Sequence, residues 1–258
     1  MGPSSVSTRR NWELVSSGIP GFDEIVAGGF PKGRCVVVYG DPGSGKTTFA
    51  IQFLHNGITQ FNEPGVYVTL TEDPDEIRQN MSNFGWNIQK LEHEKKLHIL
   101  DVRPVTTTEG GLIAPVEDLF KGEVLPFSHV ARLIVDKVKK YKAKRVAVDS
   151  LTVLTMQYVN RFYVRQGLLG FIQTLSAQDC TSLLLVEALK EEKHAPLEFA
   201  LAPAVITIRY QLKGDTMFRS IQVQKMRGVK HGEKVYGMEI GDTGVMIHPI
   251  PLLSERQM

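Results

Sequence analysis

Gly40-Asp41-Pro42-Gly43-Ser44-Gly45-Lys46-Thr47 decides the fold of this chain. The octapeptide fits G-x-x-x-x-G-K-[ST], and its flanks turn the match into a mechanism. Cys35-Val36-Val37-Val38-Tyr39 before it reads as a buried strand, and Thr47-Thr48-Phe49-Ala50-Ile51-Gln52-Phe53-Leu54 after it reads as a helix. In that setting the glycines let backbone N–H groups turn inward around a polyphosphate, with the positive end of the helix dipole behind them. Lys46 is placed to reach the terminal phosphates, the Thr47 hydroxyl to ligate Mg²⁺, and Thr48 to stand behind both. The expectation is a nucleoside-triphosphate site over Gly40 to Thr48, with ATP and Mg²⁺ as ligands.

Outward from the loop, short apolar runs alternate with helical patterns. Residues 35–39, 66–70, 97–102, 145–149 and 182–187 are nearly continuous in apolar side chains, as parallel strands covered on both faces are. Between them lie amphipathic segments: Val130, Leu133, Ile134, Val138 and Tyr141 recur at helical spacing, and residues 161–177 form a second such stretch. This rhythm predicts βαβ units with right-handed crossovers. The last third changes character. Ile206, Ile208, Tyr210 and Leu212 alternate with polar residues, and Lys213-Gly214-Asp215-Thr216 makes a turn from which 218–223 returns. Two further short runs, 235–240 and 245–247, flank Gly241-Asp242-Thr243-Gly244. The fold class is α/β, a mostly parallel sheet with helices on both faces and a C-terminal antiparallel extension. One domain is expected over 15–250, between tails 1–14 and 251–258.

The 258 residues, 42% hydrophobic and 22% charged, are ordinary for a globular chain, and a net charge of +2 gives no global basic field for nucleic acid. Cys35 and Cys180 both open apolar runs and read as inert buried thiols in a reducing compartment. No apolar run approaches the roughly 18 residues of a membrane span, and the polar start lacks a signal-peptide core. Gly2 raises myristoylation, but Val6 stands where that pattern needs Ser or Thr. A cytoplasmic location without membrane contact is expected.

Hydrolysis needs more than a phosphate loop. Arg145-Val146-Ala147-Val148-Asp149 is an apolar strand ending in a carboxylate, and ligands gather at the carboxyl edge of such sheets. Asp149 is therefore the second candidate on the Mg²⁺ side, and Ser150 a candidate hydroxyl near the γ-phosphate. The strand over 66–70 runs into Thr71-Glu72-Asp73-Pro74. Pro74 suits the first turn of a helix with Asp73 as its N-cap, a sufficient structural reason for that residue. Glu72 has no such reason and is the candidate that polarises the attacking water.

At this point the chain resembles a family. Ser17-Gly18-Ile19-Pro20-Gly21-Phe22-Asp23, Gly28-Gly29-Phe30-Pro31-Lys32-Gly33, the loop itself, Val66-Tyr67-Val68-Thr69, Val148-Asp149-Ser150, and Lys225-Met226-Arg227-Gly228 with His231 follow the order and spacing of the KaiC ATPase domains of cyanobacterial clocks. Those domains are RecA-like. The resemblance implies a homo-oligomeric ring, often a hexamer, with ATP held at subunit interfaces. It implies Glu72 as catalytic carboxylate, and Lys225, Arg227 and His231 reaching the phosphates of a neighbour's ATP. Charge supplied in trans couples hydrolysis to assembly. The chain departs from the pattern in three ways. Thr71 stands where the family commonly has the first of two glutamates, so slow hydrolysis is expected. One ATPase domain stands where the clock proteins have two. Phe199-Ala200-Leu201-Ala202 offers no hydroxyl for autophosphorylation, so autokinase activity is not expected.

RecA-like recombinases share this core, so single-stranded DNA is a candidate partner. Asn160 and Arg161-Phe162-Tyr163-Val164-Arg165 interleave aromatics with arginines as a single-strand groove would, but a helix start with Phe162 packed inward is preferred. Residues 187–194 mix acids with bases, a poor phosphate tracker. Lys137, Lys139, Lys140, Lys142, Lys144 and Arg145 read as a solvated face at a helix C-terminus. The expected function is a slow ring-forming ATPase. A DNA-stimulated recombinase paralogue and an ATP-gated interaction protein that scarcely hydrolyses are the alternatives. Expected partners are further copies of the chain and signalling proteins, with DNA less favoured.

Overall fold

The computed structural model describes residues 12–103, 106–107, 113–114, 125–188 and 196–251. From the N-terminus the chain forms β1 (Leu14–Val15), the short helix α1 (Phe22–Ile25), β2 (Phe30–Pro31), β3 (Cys35–Gly40) and α2 (Lys46–Phe61). Next come β4 (Gly65–Thr69), α3 (Pro74–Ser82), α4 (Ile88–His93), β5 (Leu97–Asp101) and a small pair, β6 (Thr106–Thr107) and β7 (Ile113–Ala114). α5 (Phe127–Tyr141), β8 (Arg145–Asp149), α6 (Leu151–Met156), α7 (Arg161–Ser176) and β9 (Thr181–Glu187) follow. The chain closes with α8 (Leu197–Leu201), β10 (Ala204–Lys213), β11 (Thr216–Met226), β12 (Val235–Gly241) and β13 (Gly244–Pro251).

Nine strands make one sheet in the order β13-β12-β11-β10-β3-β9-β8-β4-β5. The six from β10 to β5 are parallel neighbours, and β10 to β13 are antiparallel. The continuous apolar runs follow from burial on both faces. Val36 and Val38 of β3 enter one core with residues of α2, α3 and α4, while Cys35 and Val37 enter a second with α5 and α7. The same alternation splits Tyr67 from Val66 and Val68, and Ala147 from Val146 and Val148. Both cysteines are buried and unpaired. The β10–β11 hairpin turns through Gly214, whose φ of 60° only glycine adopts without cost, and Lys213 pairs with Thr216. Pro74 opens α3, and the Asp73 side chain accepts from the Asp75 N–H as its cap.

Two expectations are corrected. Phe162 does not pack inward; it and Tyr163 are each 60% exposed. The buried stripe of α7 is Val164, Leu168, Phe171, Ile172 and Leu175, and Phe162 lies two residues from its start, about 200° around the helix. Arg145 does not belong to a solvated basic face; its residue is 1% exposed. The strand period turns it to the α2 side, where it meets Glu63 at 2.6 Å and donates to the carbonyls of Phe53 (2.8 Å) and Ser16 (2.9 Å). The rings of Phe53 and Phe61 lie 4.5 and 5.3 Å from its guanidinium carbon. The expectations for residues 1–11, 189–194 and 252–258 lie outside the described residues. Among the described residues no helix is long and apolar enough to cross a membrane.

Replacing Arg145 by Met keeps the stem but strands the Phe53 and Ser16 carbonyls and the Glu63 carboxylate. We expect a loss of about 2–4 kcal/mol in urea unfolding of Arg145→Met.

Candidate functional site

The loop between β3 and α2 is shaped by close approach. A Cβ on Gly40 would lie 2.2 Å from the Ile208 carbonyl oxygen and 2.9 Å from Ser44 Oγ, so only glycine fits where β3 meets β10. Gly45 takes φ 99° at the N-cap of α2, aiming the first turn of a 16-residue helix into the loop. Lys46 Nζ curls over the loop and donates to the carbonyls of Gly40 and Asp41, both at 2.9 Å. Burial lowers the Lys46 pKa, against the opposing charges of Glu187, Asp149 and Asp41. Ser44 is fully buried, and its Oγ has no hydrogen-bond partner. Around Gly43 an added Cβ would meet nothing within 4 Å. Open space at Gly43, backed by a lysine and a helix N-terminus, suits a polyphosphate.

Two groups beside the loop were not found from the sequence. The Asp41 carboxylate accepts from the Tyr210 N–H at 3.1 Å, and Arg219, stacked 4.2 Å over the Tyr210 ring, donates to the Gly43 carbonyl at 3.2 Å. They lie where β10 and β11 extend beyond the end of β3, a placement that only the strand register reveals.

Carboxylates line the rest of the edge. Asp149, 6% exposed at the end of β8, accepts from Thr47 Oγ1 at 2.6 Å and from the Tyr67 hydroxyl at 2.7 Å, both on Oδ2. Burial raises the Asp149 pKa, while these two hydrogen bonds and the Lys46 charge act to lower it. Glu72, half-buried just beyond β4, is raised by burial first and then by the charges of Asp149 and Glu76. Its backbone is fixed by Thr69, whose Oγ1 donates to the Glu72 carbonyl at 2.6 Å and accepts from the Glu72 N–H at 3.0 Å. Asp73 is taken up by its capping bond and an ion pair with Arg103 at 3.0 Å. Glu187 ends β9 opposite Gly40, and its charge acts on both Lys46 and Asp149. The strand-end logic that singled out Asp149 applies equally to Glu187, which ends the strand expected over 182–187 but was assigned no role at the site. Ser150 caps α6, accepting from the Thr152 N–H at 3.2 Å and donating to the Leu185 carbonyl at 3.5 Å. Among the described residues no group of three or more His, Cys, Asp or Glu could hold a metal. A divalent ion here would rely on Thr47, on Asp149 and on the phosphates themselves, the oxygen-only set that suits Mg²⁺.

Lys225, Arg227 and His231 lie elsewhere. Gly40 pairs with Ile208, but Val36 pairs with Ala204, which pairs with Met226. Arg227 follows, its N–H donating to the Pro203 carbonyl at 3.0 Å. The four residues from Ile208 to Ala204 separate it from the loop by roughly 13 Å along the sheet. Lys225 donates to the Phe199 carbonyl, and burial followed by the Arg227 charge lowers its pKa. The fold thus brings together Lys46, Thr47, Asp149 and Glu72, and separates Lys225, Arg227 and His231 from them within one chain. Two clefts beside α4, of 560 and 540 Å³, are lined by Arg78, Trp86 and Ile88 and by His55, Lys90 and Glu94, and neither includes a loop residue.

The chain and its fold have counterparts among known proteins. A family described as "ATPase: KaiC" matches residues 15–251. The circadian clock oscillator protein KaiC of Parasynechococcus marenigrum (strain WH8102) is 35% identical over 252 residues, covering 96% of this chain and 47% of the relative. Its counterpart from Synechococcus elongatus is 37% identical over 252 residues, covering 96% and 46%. The chain therefore spans about half the length of these clock proteins. A crystal structure of a KaiC-like protein (PH0186) from Pyrococcus horikoshii OT3 superposes with a TM-score of 0.77 at 33% identity, covering 93% of this chain and 100% of that one.

The loop geometry is testable without any assumption about turnover. Gly40→Ala is expected to cost about 1–3 kcal/mol in urea unfolding, because the new methyl meets backbone. Gly170→Ala, with nothing within 4 Å of its Cβ, is expected to be neutral or to stabilise α7 by up to about 1 kcal/mol.

Proposed function

The chain belongs to the KaiC family of ATPases, and we propose that it binds Mg·ATP between subunits of a homo-oligomeric ring and hydrolyses it slowly, coupling nucleotide state to assembly. The observation that carries this reading is the separation of the phosphate loop from Lys225 and Arg227 at opposite ends of β10 and β11. In the cradle of one chain Lys46 is joined only by Arg219, which is turned to the Gly43 carbonyl and the Tyr210 ring, and a phosphoryl transition state would gain from further positive charge. A second copy, presenting its Lys225, Arg227 and His231, would supply it.

Within the cradle, the loop N–H groups and Lys46 hold the β- and γ-phosphates, and Thr47 with Asp149 holds Mg²⁺. When bound, Mg²⁺ would supply charge neutralisation at the phosphates. Glu72 polarises the attacking water; it sits at the strand end with a fixed backbone, while Asp73 is occupied as a cap and ion-pair partner. Thr71 beside it is consistent with slow turnover. Autokinase chemistry is not proposed, since α8 and its C-cap offer only Phe199, Ala200, Leu201 and Ala202 where the family carries its hydroxyls.

A specific observation favours a second reading. Phe162 and Tyr163 are exposed, next to Arg161 and Arg165 at the start of α7, a surface on which bases of single-stranded DNA would stack. Steady-state ATP hydrolysis with Mg²⁺ during a titration of single-stranded DNA separates the readings. Slow turnover indifferent to DNA supports the ring ATPase, and marked stimulation favours the recombinase paralogue. No turnover with retained binding favours the ATP-gated interaction protein.

Two outcomes are expected of variants. Glu72→Gln should keep ATP binding in calorimetry and lose turnover. In the unsubstituted chain, turnover should fall toward acid with a midpoint above the ordinary carboxylate range, because burial and Asp149 hold the proton on Glu72. Mixing Arg227→Ala with Glu72→Gln should restore part of the activity, since some interfaces then combine an intact Glu72 with an intact Arg227. Co-assembly without recovery would count against Arg227 acting on a neighbour's nucleotide.

A further inference from the structure

Tyr67 is a residue that neither the loop motif nor the strand-end carboxylates account for. It lies in the middle of β4 and is 1% exposed. Its strand neighbours Val66 and Val68 turn to the α5 side, while Tyr67 turns to the α2 side, the face onto which Asp149 and Thr47 also project. A buried tyrosine needs an acceptor for its hydroxyl, and any nearby carbonyl would meet that need. Here the hydroxyl selects Asp149 Oδ2 at 2.7 Å, the same oxygen that takes the Thr47 proton at 2.6 Å.

We propose that Tyr67 is a positioning residue for the metal: with Thr47 it pins the Asp149 carboxylate by Oδ2, so that Oδ1 and the Thr47 lone pairs are left to face the divalent cation that accompanies the nucleotide. The inference rests on the reading of this site given above and deepens it. A carboxylate has about four lone-pair sites, and two donors on one oxygen fill that oxygen. The other oxygen then serves as the acceptor for metal-bound water. Thr47, its O–H directed at Asp149 Oδ2, can offer the cation only lone pairs. Mg²⁺ demands near-octahedral geometry, so a carboxylate free to rotate holds it less well than one fixed by two donors. The arrangement also reaches across three elements, since Tyr67 comes from β4, Asp149 from β8 and Thr47 from α2. The loop is thereby tied to two strands of the sheet by a single carboxylate oxygen.

The test is Tyr67→Phe in the full chain, which removes one oxygen and leaves the ring in its core. Binding of a fluorescent ATP analogue is followed in EDTA and then with rising Mg²⁺, a readout independent of turnover. The expected result is metal-free affinity close to that of the unsubstituted chain, with the Mg²⁺ midpoint raised about ten-fold, or about 1.4 kcal/mol. In an Asp149→Asn background the same substitution should add no further shift, because Tyr67 acts through Asp149. An unchanged midpoint, or an additive shift in that background, overturns the proposal. So does a Tyr67→Phe chain that fails to fold, which would assign the phenol to the core alone. If the unsubstituted chain shows no Mg²⁺ dependence at all, the metal site itself is wrong. Mg²⁺ dependence with an unshifted variant removes only Tyr67.

Discussion

Strand β8 buries a full charge at each end, and the rest of the structure is organised around making both tolerable. Arg145 opens the strand and Asp149 closes it, both under 10% exposed. An isolated charge in such surroundings is prohibitively costly, so each must find polar partners. α2 serves both: its Phe53 carbonyl accepts from Arg145, and its Thr47 hydroxyl donates to Asp149. The strand runs roughly 13 Å from Arg145 to Asp149 and α2 rises about 9 Å from Thr47 to Phe53, so one helix reaches both ends of the strand through side chains. Gly57 lets the helix lie this close, because a Cβ there would fall 2.4 Å from the Arg145 side chain. A helix fastened at two points cannot slide along the sheet, and the phosphate loop takes its position from that fastening.

The antiparallel extension has the opposite consequence. Parallel strands all deliver their carboxyl ends to one edge, which is why Gly40, Asp149, Glu187 and Glu72 converge. Once the hairpin at Gly214 reverses direction, whatever follows β11 is delivered to the other edge. Lys225 and Arg227 are sent there by topology alone. Under the proposed function, one chain would carry the two halves of a phosphoryl-transfer site on opposite rims, an arrangement consistent with chemistry shared between copies.

Much of this was legible in the residues. The loop motif and the continuous apolar runs marked the parallel core, alternation marked the extension, and Pro74 with Asp73 marked the start of α3. Residues joined across long sequence separations were not. Tyr67, Arg219 and Tyr210 reach the loop only through strand register, and no local pattern distinguishes them from core or hairpin residues. Arg145 looked like one more base in a lysine-rich stretch because its burial is a property of the neighbouring layer. Phe162 was misjudged for a related reason: an aromatic in an amphipathic helix is assumed to face inward, but the stripe that packs begins at Val164.

Asp41, Asp149 and Glu187 act on Lys46, and Glu72 stands close enough to feel Asp149. Acids outnumber the bases Lys46 and Arg219 at this edge, so the bare site carries an excess of negative groups. A metal–nucleotide complex would act as its counter-ion, and any ligand that binds only the folded chain stabilises it by mass action. Under the proposed function, the quantity of folded protein would then track the supply of fuel, making the fold a gauge of cellular energy even before any phosphate bond is broken.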